Sequence, residues 1–467
     1  MALLEKLLVA NRGEIALRII RSAKLSGIRT VAIYTESEKM AEYVTMADEK
    51  VSLGDGDLNS TFLNIQKIIE IAVSTNSDAI HPGYGFLSEN PDFAGACEGH
   101  QIVFVGPDSS ILRLMGNKPG AKSLASSLEI PVISSKKIDS NTAFTELRIE
   151  FPALIKASYG GGGKGMEIVN NHEELANQVE RSSRMALNYF GNGELFVEKY
   201  IQNARHVEVQ IIGDHFGNII HLFERECSIQ RNHQKILEEA PAIFLTAELR
   251  ENLLSAALKI GKAIKYSGAG TVEFLIDETG NFFFIEMNPR IQVEHAVTEQ
   301  ITGIDIVGEQ LKVASGFKLS VTQEQVIKRG HAVEIRIYTE NPAKEFAPNS
   351  VALRSINLPS HPHLRIEADI ARKSQMGNQF DPLLLKLIAW SEERQTAINL
   401  LRNTIRNLNI IGPETNTRYL ETILAHTGFL NNDISVEFCK NNHKKLIGKY
   451  LEISNPSPEL PVCSGNR

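Results

Sequence analysis

The chain has 467 residues, more than one hydrophobic core usually supports, so two or three packed subdomains around a substrate cleft are expected. A hydrophobic fraction of 42% with 22% charged residues excludes a disordered chain. With Lys+Arg 49 against Asp+Glu 56 and a formal net charge of -7, the sequence carries no footprint for nucleic acid or anionic lipid, and an anionic substrate needs a local basic pocket.

At the N-terminus, MALLEKLLVANRGE sets Glu5 and Lys6 inside a short apolar stretch, which reads neither as a secretory signal nor as a transit peptide. No run approaches membrane-spanning length. Short apolar runs then alternate with helical patterns: Leu7 to Ala10, a helix after Gly13, Thr30 to Tyr34, Asp78 to Ile80 and Ile102 to Val105. That alternation predicts a parallel α/β sheet. The runs end in Gly, Asn or Pro, so ligand loops are expected at the carboxyl ends of the strands. Around Pro131 a second α/β unit begins, containing the glycine run Gly160 to Gly163. Residues from about Val207 to Asn288 read as longer β segments in which Glu alternates with apolar residues. From about Gly330 a third region follows, with a strand over Ala332 to Tyr338 and an amphipathic helix after Glu393. The Pro/Ser-rich end, ISNPSPELPVCSGNR, reads as a frayed tail. Cys97, Cys227, Cys439 and Cys463 are far apart and form no Cys-x-x-Cys pair, which fits a reducing, cytoplasmic setting.

Three constellations carry chemistry. Lys156-Ala-Ser-Tyr159 leads into four glycines, Lys164, Gly165 and Met166. Consecutive glycines expose backbone N–H groups at no steric cost, as a flap over phosphates requires. The run is not a Walker loop, because Lys164 is followed by Gly. A plain flexible loop is the competing reading; Lys156 and Lys164 weigh toward anion binding. In the second constellation, a hairpin centred between Thr279 and Gly280 makes Glu273 and Glu286 cross-strand neighbours, with Asn288 on the same face. Two carboxylates and an amide are hard oxygen ligands suited to Mg²⁺. Phe282 to Ile285 predict a buried strand, where unpaired carboxylates are costly.

The third is Arg290-Ile-Gln292-Val-Glu294-His295. Read as extended chain, it points Arg290, Gln292 and Glu294 the same way, giving cation, amide and base in a row for a small oxyanion. A charged edge strand is the alternative. His233-Gln-Lys235 and the turn His81-Pro-Gly-Tyr-Gly-Phe86 each have a bland reading as a polar loop and a turn. His361-Pro-His363 reads as an exposed loop and Trp390 as core.

Together these residues resemble the biotin carboxylases, the ATP-grasp components of acyl-CoA and pyruvate carboxylases. The matching runs are LVANRGEIALRII, AIHPGYGFLSEN, RLMGNK, KASYGGGGKGM, VEKYI, RHVEVQI, CSIQRNHQK, VEFL, FIEMNPRIQVEH, TEQITGIDIV and RGHAVEIRI, in order from residue 8 to about 338. The resemblance implies an α/β chain, α+β in its C-terminal half: a Rossmann-like domain over 1–115, an ATP-grasp domain over 116–330 with a glycine-rich lid at about 132–204, a C-terminal biotin carboxylase domain over 331–450 and a flexible tail over 451–467. It implies ATP- and bicarbonate-dependent carboxylation of biotin through carboxyphosphate, the first half-reaction of an acyl-CoA carboxylase such as that of fatty acid biosynthesis.

Carried over position by position, it implies that Lys118, Lys156, Gly161, Gly162, Gly163, Lys164 and Gly165 hold the ATP phosphates. Met166, Glu198, Lys199 and Ile201 would surround adenine, and His206, Gln230 and His233 would meet the ribose side. Glu273, Glu286 and Asn288 would bind two Mg²⁺ or Mn²⁺ ions. Lys235, Arg290, Gln292 and Val293 would hold bicarbonate, Glu294 would be its base, and Arg336 would face biotin. Implied partners are a separate biotinylated carrier, a carboxyltransferase and a second copy of the chain, with neither nucleic acid nor membrane. No Met-Lys-Met run, the family's biotinylation motif, occurs in the sequence.

The sequence also departs from the pattern. Tyr159 and Lys164 look more like acyl-CoA or pyruvate carboxylase versions of the loop than the bacterial acetyl-CoA form. The stretch Phe346-Ala-Pro348-Asn-Ser-Val351 lacks the usual Pro-Ser-x-Gly, and Gly377 to Pro382 only approximates the Tyr-Asp-Pro region, which leaves carrier docking less defined than ATP chemistry. Another ATP-grasp acyl-phosphate ligase and a catalytically silent carboxylase-binding subunit are the rival readings. A Rossmann dehydrogenase is disfavoured, because no G-x-G-x-x-G follows the first strand.

Overall fold

The computed structural model describes residues 3–139, 142, 147–158, 166–190, 192–349, 351–370 and 381–454. At its N-terminal end β1 (Lys6–Val9), β2 (Arg29–Tyr34), β3 (Glu49–Ser52), β4 (Ala79–His81) and β5 (Val103–Phe104) form a parallel sheet in the order β3-β2-β1-β4-β5. β1 is apolar on both faces because helices cover both. Leu7 and Val9 pack with Ile15 and Ile19 of helix α1 (Gly13–Leu25), while Leu8 packs with Ile68 and Phe93 on the opposite side. The helix Pro91–Gly99 starts where it does because Asn90 accepts from Asp92 N and Phe93 N, both at 2.9 Å, and Pro91 supplies a preset φ.

A four-stranded antiparallel sheet follows, in the order β6 (Ser135–Ile138), β9 (Leu195–Lys199), β7 (Ala153–Ala157), β8 (Glu167–Val169). The helix His172–Phe190 covers it with Leu175, Val179 and Ala186. The largest element is an eight-stranded antiparallel sheet. Its order is β14 (Phe282–Asn288), β13 (Gly268–Ile276), β10 (Arg205–Gly213), β11 (Ile219–Arg231), β12 (Gln234–Ala240), β15 (His331–Tyr338), then Leu383–Ser391 and Leu364–Ala368. On β10, Val207, Val209 and Ile211 point into a core shared with the helix Ala247–Ala263, and Glu208 and Gln210 alternate with them toward the other face.

The mixed fold matches the expectation, and several details do not. Glu273 does stand opposite Glu286, but the hairpin turns about Thr279, pairing Ile276 with Phe282, and a bulge between Glu273 and Phe274 restores the expected pairing. Residues 290–294 are not extended: Val293 and Glu294 form a turn that starts the helix His295–Thr302. Glu334, two residues before Arg336 on β15, is fully buried. Trp390 is half-buried, since it lies near the end of its strand with His363 against its ring and Nε1 donating to Arg329 O at 3.0 Å. The last helix, His443–Ser454, runs past residue 451, where the tail was expected. Tyr159 to Gly165, Ser350, Gly377 to Phe380 and residues 455–467 lie outside the described residues. Among the described residues no helix is long and apolar enough to cross a membrane.

Candidate active site

A cavity of about 620 Å³ opens between the three sheets. All the site residues expected from the sequence that fall within the described residues line it: Lys118, Lys156, Met166, Glu198, Lys199, Ile201, His206, Gln230, His233, Lys235, Glu273, Glu286, Asn288, Arg290, Gln292, Val293, Glu294 and Arg336. Gly161, Gly162, Gly163, Lys164 and Gly165 lie outside the described residues. The N-terminal sheet contributes its β1–α1 loop and the turn after β4, as ligand-binding α/β sheets do. Asn11 Nδ2 donates to Pro82 O at 2.7 Å and Tyr84 O at 2.8 Å, which bends the His81 to Phe86 turn into the cavity wall. Gly83 sits at φ +64° with its missing Cβ 2.9 Å from Asn11 Nδ2, so a side chain there would displace that contact.

One end of the cavity is lined by paired lysines. Lys118, at the start of the helix Lys118–Ser127, reaches Glu286 at 2.7 Å. Lys156 of β7 and Lys122 both contact Glu198 of β9, which is buried and stays ionised below the usual carboxylate range: burial pushes it up, but Lys156 and Lys122 outweigh that. His206 Nδ1 meets Gln230 Nε2 at 2.9 Å, and His206 Nε2 lies 2.8 Å from Glu273.

At the other end Lys235 Nζ stands 2.5 Å from Glu208, 2.7 Å from Glu294 and 3.1 Å from Glu273. Burial would release its proton; the three carboxylates hold it on, well above the ordinary lysine range. Glu273 also accepts from Asn288 Nδ2 at 2.6 Å and Gln292 Nε2 at 2.8 Å, and with Lys235 and His206 beside it stays ionised despite burial. Arg290 Nε lies 2.8 Å from Glu89, and its Nη2 donates to Asn288 Oδ1 at 3.1 Å. Arg336 Nη2 is divided between Glu294 at 2.9 Å and Glu238 at 2.5 Å. Glu294, against the cost of its burial, is held far below the carboxylate range by Lys235, Arg336 and Arg225. Burial alone would require a metal or cations around these carboxylates, and the cations present are those that an anionic ligand would attract.

Several residues around this end were not singled out from the sequence. Arg225 is fully buried beneath the cavity floor; it contacts Glu208 and donates to Gln210 Oε1 at 2.8 Å, Thr298 Oγ1 at 2.9 Å and Thr271 Oγ1 at 3.1 Å. It thereby fixes Glu208 under Lys235. Lys386, also fully buried, donates to Val293 O at 2.6 Å and lies 3.3 Å from Glu14, which Tyr84 also contacts. The Glu/apolar alternation of β10 was the available signal for Glu208; nothing local marks Lys386.

Glu273, Glu286 and Asn288 present an all-oxygen donor set on one wall, with Lys118, Lys235 and His206 in contact with its carboxylates, and this set fits a hard divalent cation such as Mg²⁺.

Comparison with known proteins gives three family models in succession: "Biotin carboxylase, N-terminal domain" over residues 3–112, "Carbamoyl-phosphate synthase L chain, ATP binding domain" over 117–322 and "Biotin carboxylase C-terminal domain" over 334–441. The mouse mitochondrial methylcrotonoyl-CoA carboxylase subunit alpha is 43% identical over 457 residues, 97% of this chain but 64% of the mouse protein. Biotin carboxylase 2 of Bacillus subtilis is 42% identical over 441 residues, 94% of this chain and 99% of that one. Among solved structures, the biotin carboxylase domain dimer of Hydrogenobacter thermophilus 2-oxoglutarate carboxylase, in complex with MgADP, ADP and bicarbonate, superposes with a TM-score of 0.93 at 41% identity, covering 96% of this chain and 99% of that one.

Proposed function

Because the chain belongs to the biotin carboxylase family, we propose that it uses ATP and bicarbonate to carboxylate biotin, with the residues of the cavity in the following roles. The observation that carries this reading is the convergence of the expected phosphate, metal, bicarbonate and biotin positions on one cavity. Lys118 and Lys156 hold the transferring phosphates, and Glu198, in contact with both Lys156 and Lys122, offsets the repulsion between them. Glu273, Glu286 and Asn288 would hold Mg²⁺ or Mn²⁺, which when bound neutralises charge on the phosphoryl oxygens.

Bicarbonate is a poor electrophile, so its activation as carboxyphosphate requires a proton acceptor and a positive cradle. Glu294 is the acceptor, and Lys235, Arg290, Gln292 and Val293 are the cradle. While Lys235 and Arg336 both pair with it, Glu294 is too well stabilised to be a good base. When bicarbonate takes over Lys235, and Arg336 turns to biotin, Glu294 loses those cations and its proton affinity rises at the moment it is needed. Breakdown of carboxyphosphate leaves CO₂ and inorganic phosphate beside biotin, and the phosphate so released takes the ureido proton before the nitrogen attacks CO₂. Deprotonation of the ureido nitrogen puts negative charge on the ureido oxygen, which the Arg336 guanidinium stabilises.

A separate carrier is proposed to present the biotin, as for relatives of similar length such as the Bacillus subtilis biotin carboxylase 2, and a carboxyltransferase to select the final acceptor. The proposed working unit is a dimer like that crystallised for the Hydrogenobacter domain. The functional division at residues 115 and 330 is supported by the limits of the three family models. The test is ADP formation by the purified chain. It is expected to require bicarbonate, to rise with free biotin and to stop when a chelator removes the divalent cation. ATP turnover indifferent to bicarbonate would overturn the reading.

A further inference from the structure

Behind Arg336 lies a pair of acids that the roles above do not use. The register of β12 and β15 sets Glu238 directly opposite Glu334. Both are fully buried, and neither carboxylate oxygen of Glu334 has a hydrogen-bond partner among the described residues. Directly opposed residues on paired strands have Cβ atoms about 5 Å apart, so two negative charges here would repel each other strongly in the low-dielectric interior.

The groups facing the pair are Lys235, Arg336, Tyr338, Glu294, Lys386 and Cys227. The cations among them are committed elsewhere. Lys235 serves Glu208, Glu273 and Glu294; Lys386 serves Glu14 and Val293 O; Arg336 Nη2 is shared between Glu238 and Glu294. Tyr338 and Cys227 are neutral, as burial drives both of their pKa values up. Burial likewise raises the pKa of both glutamates; Lys386 opposes this at Glu334, and the charge of Glu238 reinforces it. Arg336, itself shared with Glu294, is therefore the cation in contact with the pair, through Glu238, and two buried carboxyls so weakly compensated retain a proton.

We propose that Glu238 and Glu334 share one proton, and that the resulting single negative charge makes Glu238 a positioning residue that holds Arg336 at the biotin end of the cavity. This rests on the biotin carboxylase reading. Arg336 must leave Glu294 to meet the biotin oxyanion, and Glu238, on the same nitrogen, is what keeps the guanidinium in place as it does so. Loss of the shared proton doubles the negative charge behind Arg336 and draws it back from the cavity.

The experiment compares Glu238→Gln and Glu334→Gln with the unaltered chain, following carboxybiotin formation and bicarbonate-dependent ADP formation from about pH 6 to about pH 9. In the unaltered chain carboxybiotin formation should fall as the pH rises above neutrality and the pair loses its proton. Glu334→Gln leaves a permanently neutral partner, so that alkaline limb should move up by a pH unit or more. Glu238→Gln should lower carboxybiotin formation roughly 10- to 100-fold through kcat, as misplacing a reacting group does, with ADP formation falling far less. An unchanged alkaline limb in Glu334→Gln, or equal loss of both half-reactions at every pH in Glu238→Gln, overturns the proposal. Should either variant fail to fold, the unaltered chain decides: its infrared difference spectrum between about pH 7 and about pH 9 should show loss of a protonated carboxyl stretch, and absence of that band overturns the shared proton. Failure of the underlying reading would look different, as ATP turnover independent of bicarbonate in the unaltered chain.

Discussion

β1 and β12 are both interior strands, yet β1 encloses Leu7, Leu8 and Val9 while β12 encloses Glu238 and Glu239. The parallel N-terminal sheet is stabilised by apolar burial and dispersion, terms that depend little on pH or salt. The central antiparallel sheet has Glu208, Arg225, Glu238, Glu334 and Lys386 at 0% exposure, where each charge is tolerable only through its neighbours. Apolar residues of similar volume often stabilise such positions as well or better. Selection for folding alone does not account for so many buried charges on one face, and their concentration beneath the cavity ties them to its chemistry.

The sharpest way to test this contrast is at Glu294. Glu294→Gln keeps the shape but cannot accept the proton, so bicarbonate-dependent ADP formation should drop by roughly 10²- to 10⁴-fold with the circular dichroism spectrum unchanged. Near-normal turnover would remove Glu294 from the base role. Next is Arg336→Ala, which should lower carboxybiotin formation roughly 100- to 1000-fold, about 3–4 kcal/mol, while part of the ADP formation survives. Parallel loss of both in a folded variant would refute the division of labour between the two half-reactions.

Stability experiments then set the two sheets side by side. Arg225→Ala leaves Glu208 buried without its main partner and should cost about 3–5 kcal/mol in denaturant unfolding. Because Glu208 also anchors Lys235, turnover per folded molecule should fall with it. Leu8→Ala should cost about 2–5 kcal/mol through transfer and cavity terms, with turnover per folded molecule retained. Equal effects of both on turnover would erase the distinction. The smallest effect concerns pH. Burial alone would raise the Glu239 carboxyl, but hydrogen bonds from His331 and Arg394 hold it at about 2. A carboxyl lowered in the folded state contributes stability that is present above its unfolded pKa, about 4.3, and is lost as the pH falls toward 2. Thermal melts should show Glu239→Gln with a flatter acid limb than the unaltered chain.

Much of the site was legible because its residues lie close together in sequence. Glu273 and Glu286 sit nearly equidistant from a turn, so period two alone brings them together; the bulge that completes their pairing leaves no local mark. Arg290, Gln292 and Glu294 were legible as a group but not in conformation, because the turn at Val293 and Glu294 belongs to the following helix rather than to a strand. Glu208 and Arg225 meet only through the β10–β11 register. The burial of Glu334 was not legible, because strand periodicity cannot tell solvent from a second buried layer, here supplied by the neighbouring strands and Glu294.

The pairing of β12 with β15 joins residue 240 to residue 332 across the point where the sequence suggests a boundary. An evolutionary module and a cooperative folding unit therefore need not coincide in this molecule. A fragment ending at 330 would expose β12 as an unpaired edge, with its backbone amides and carbonyls free to recruit a strand from another copy, and would be prone to self-associate.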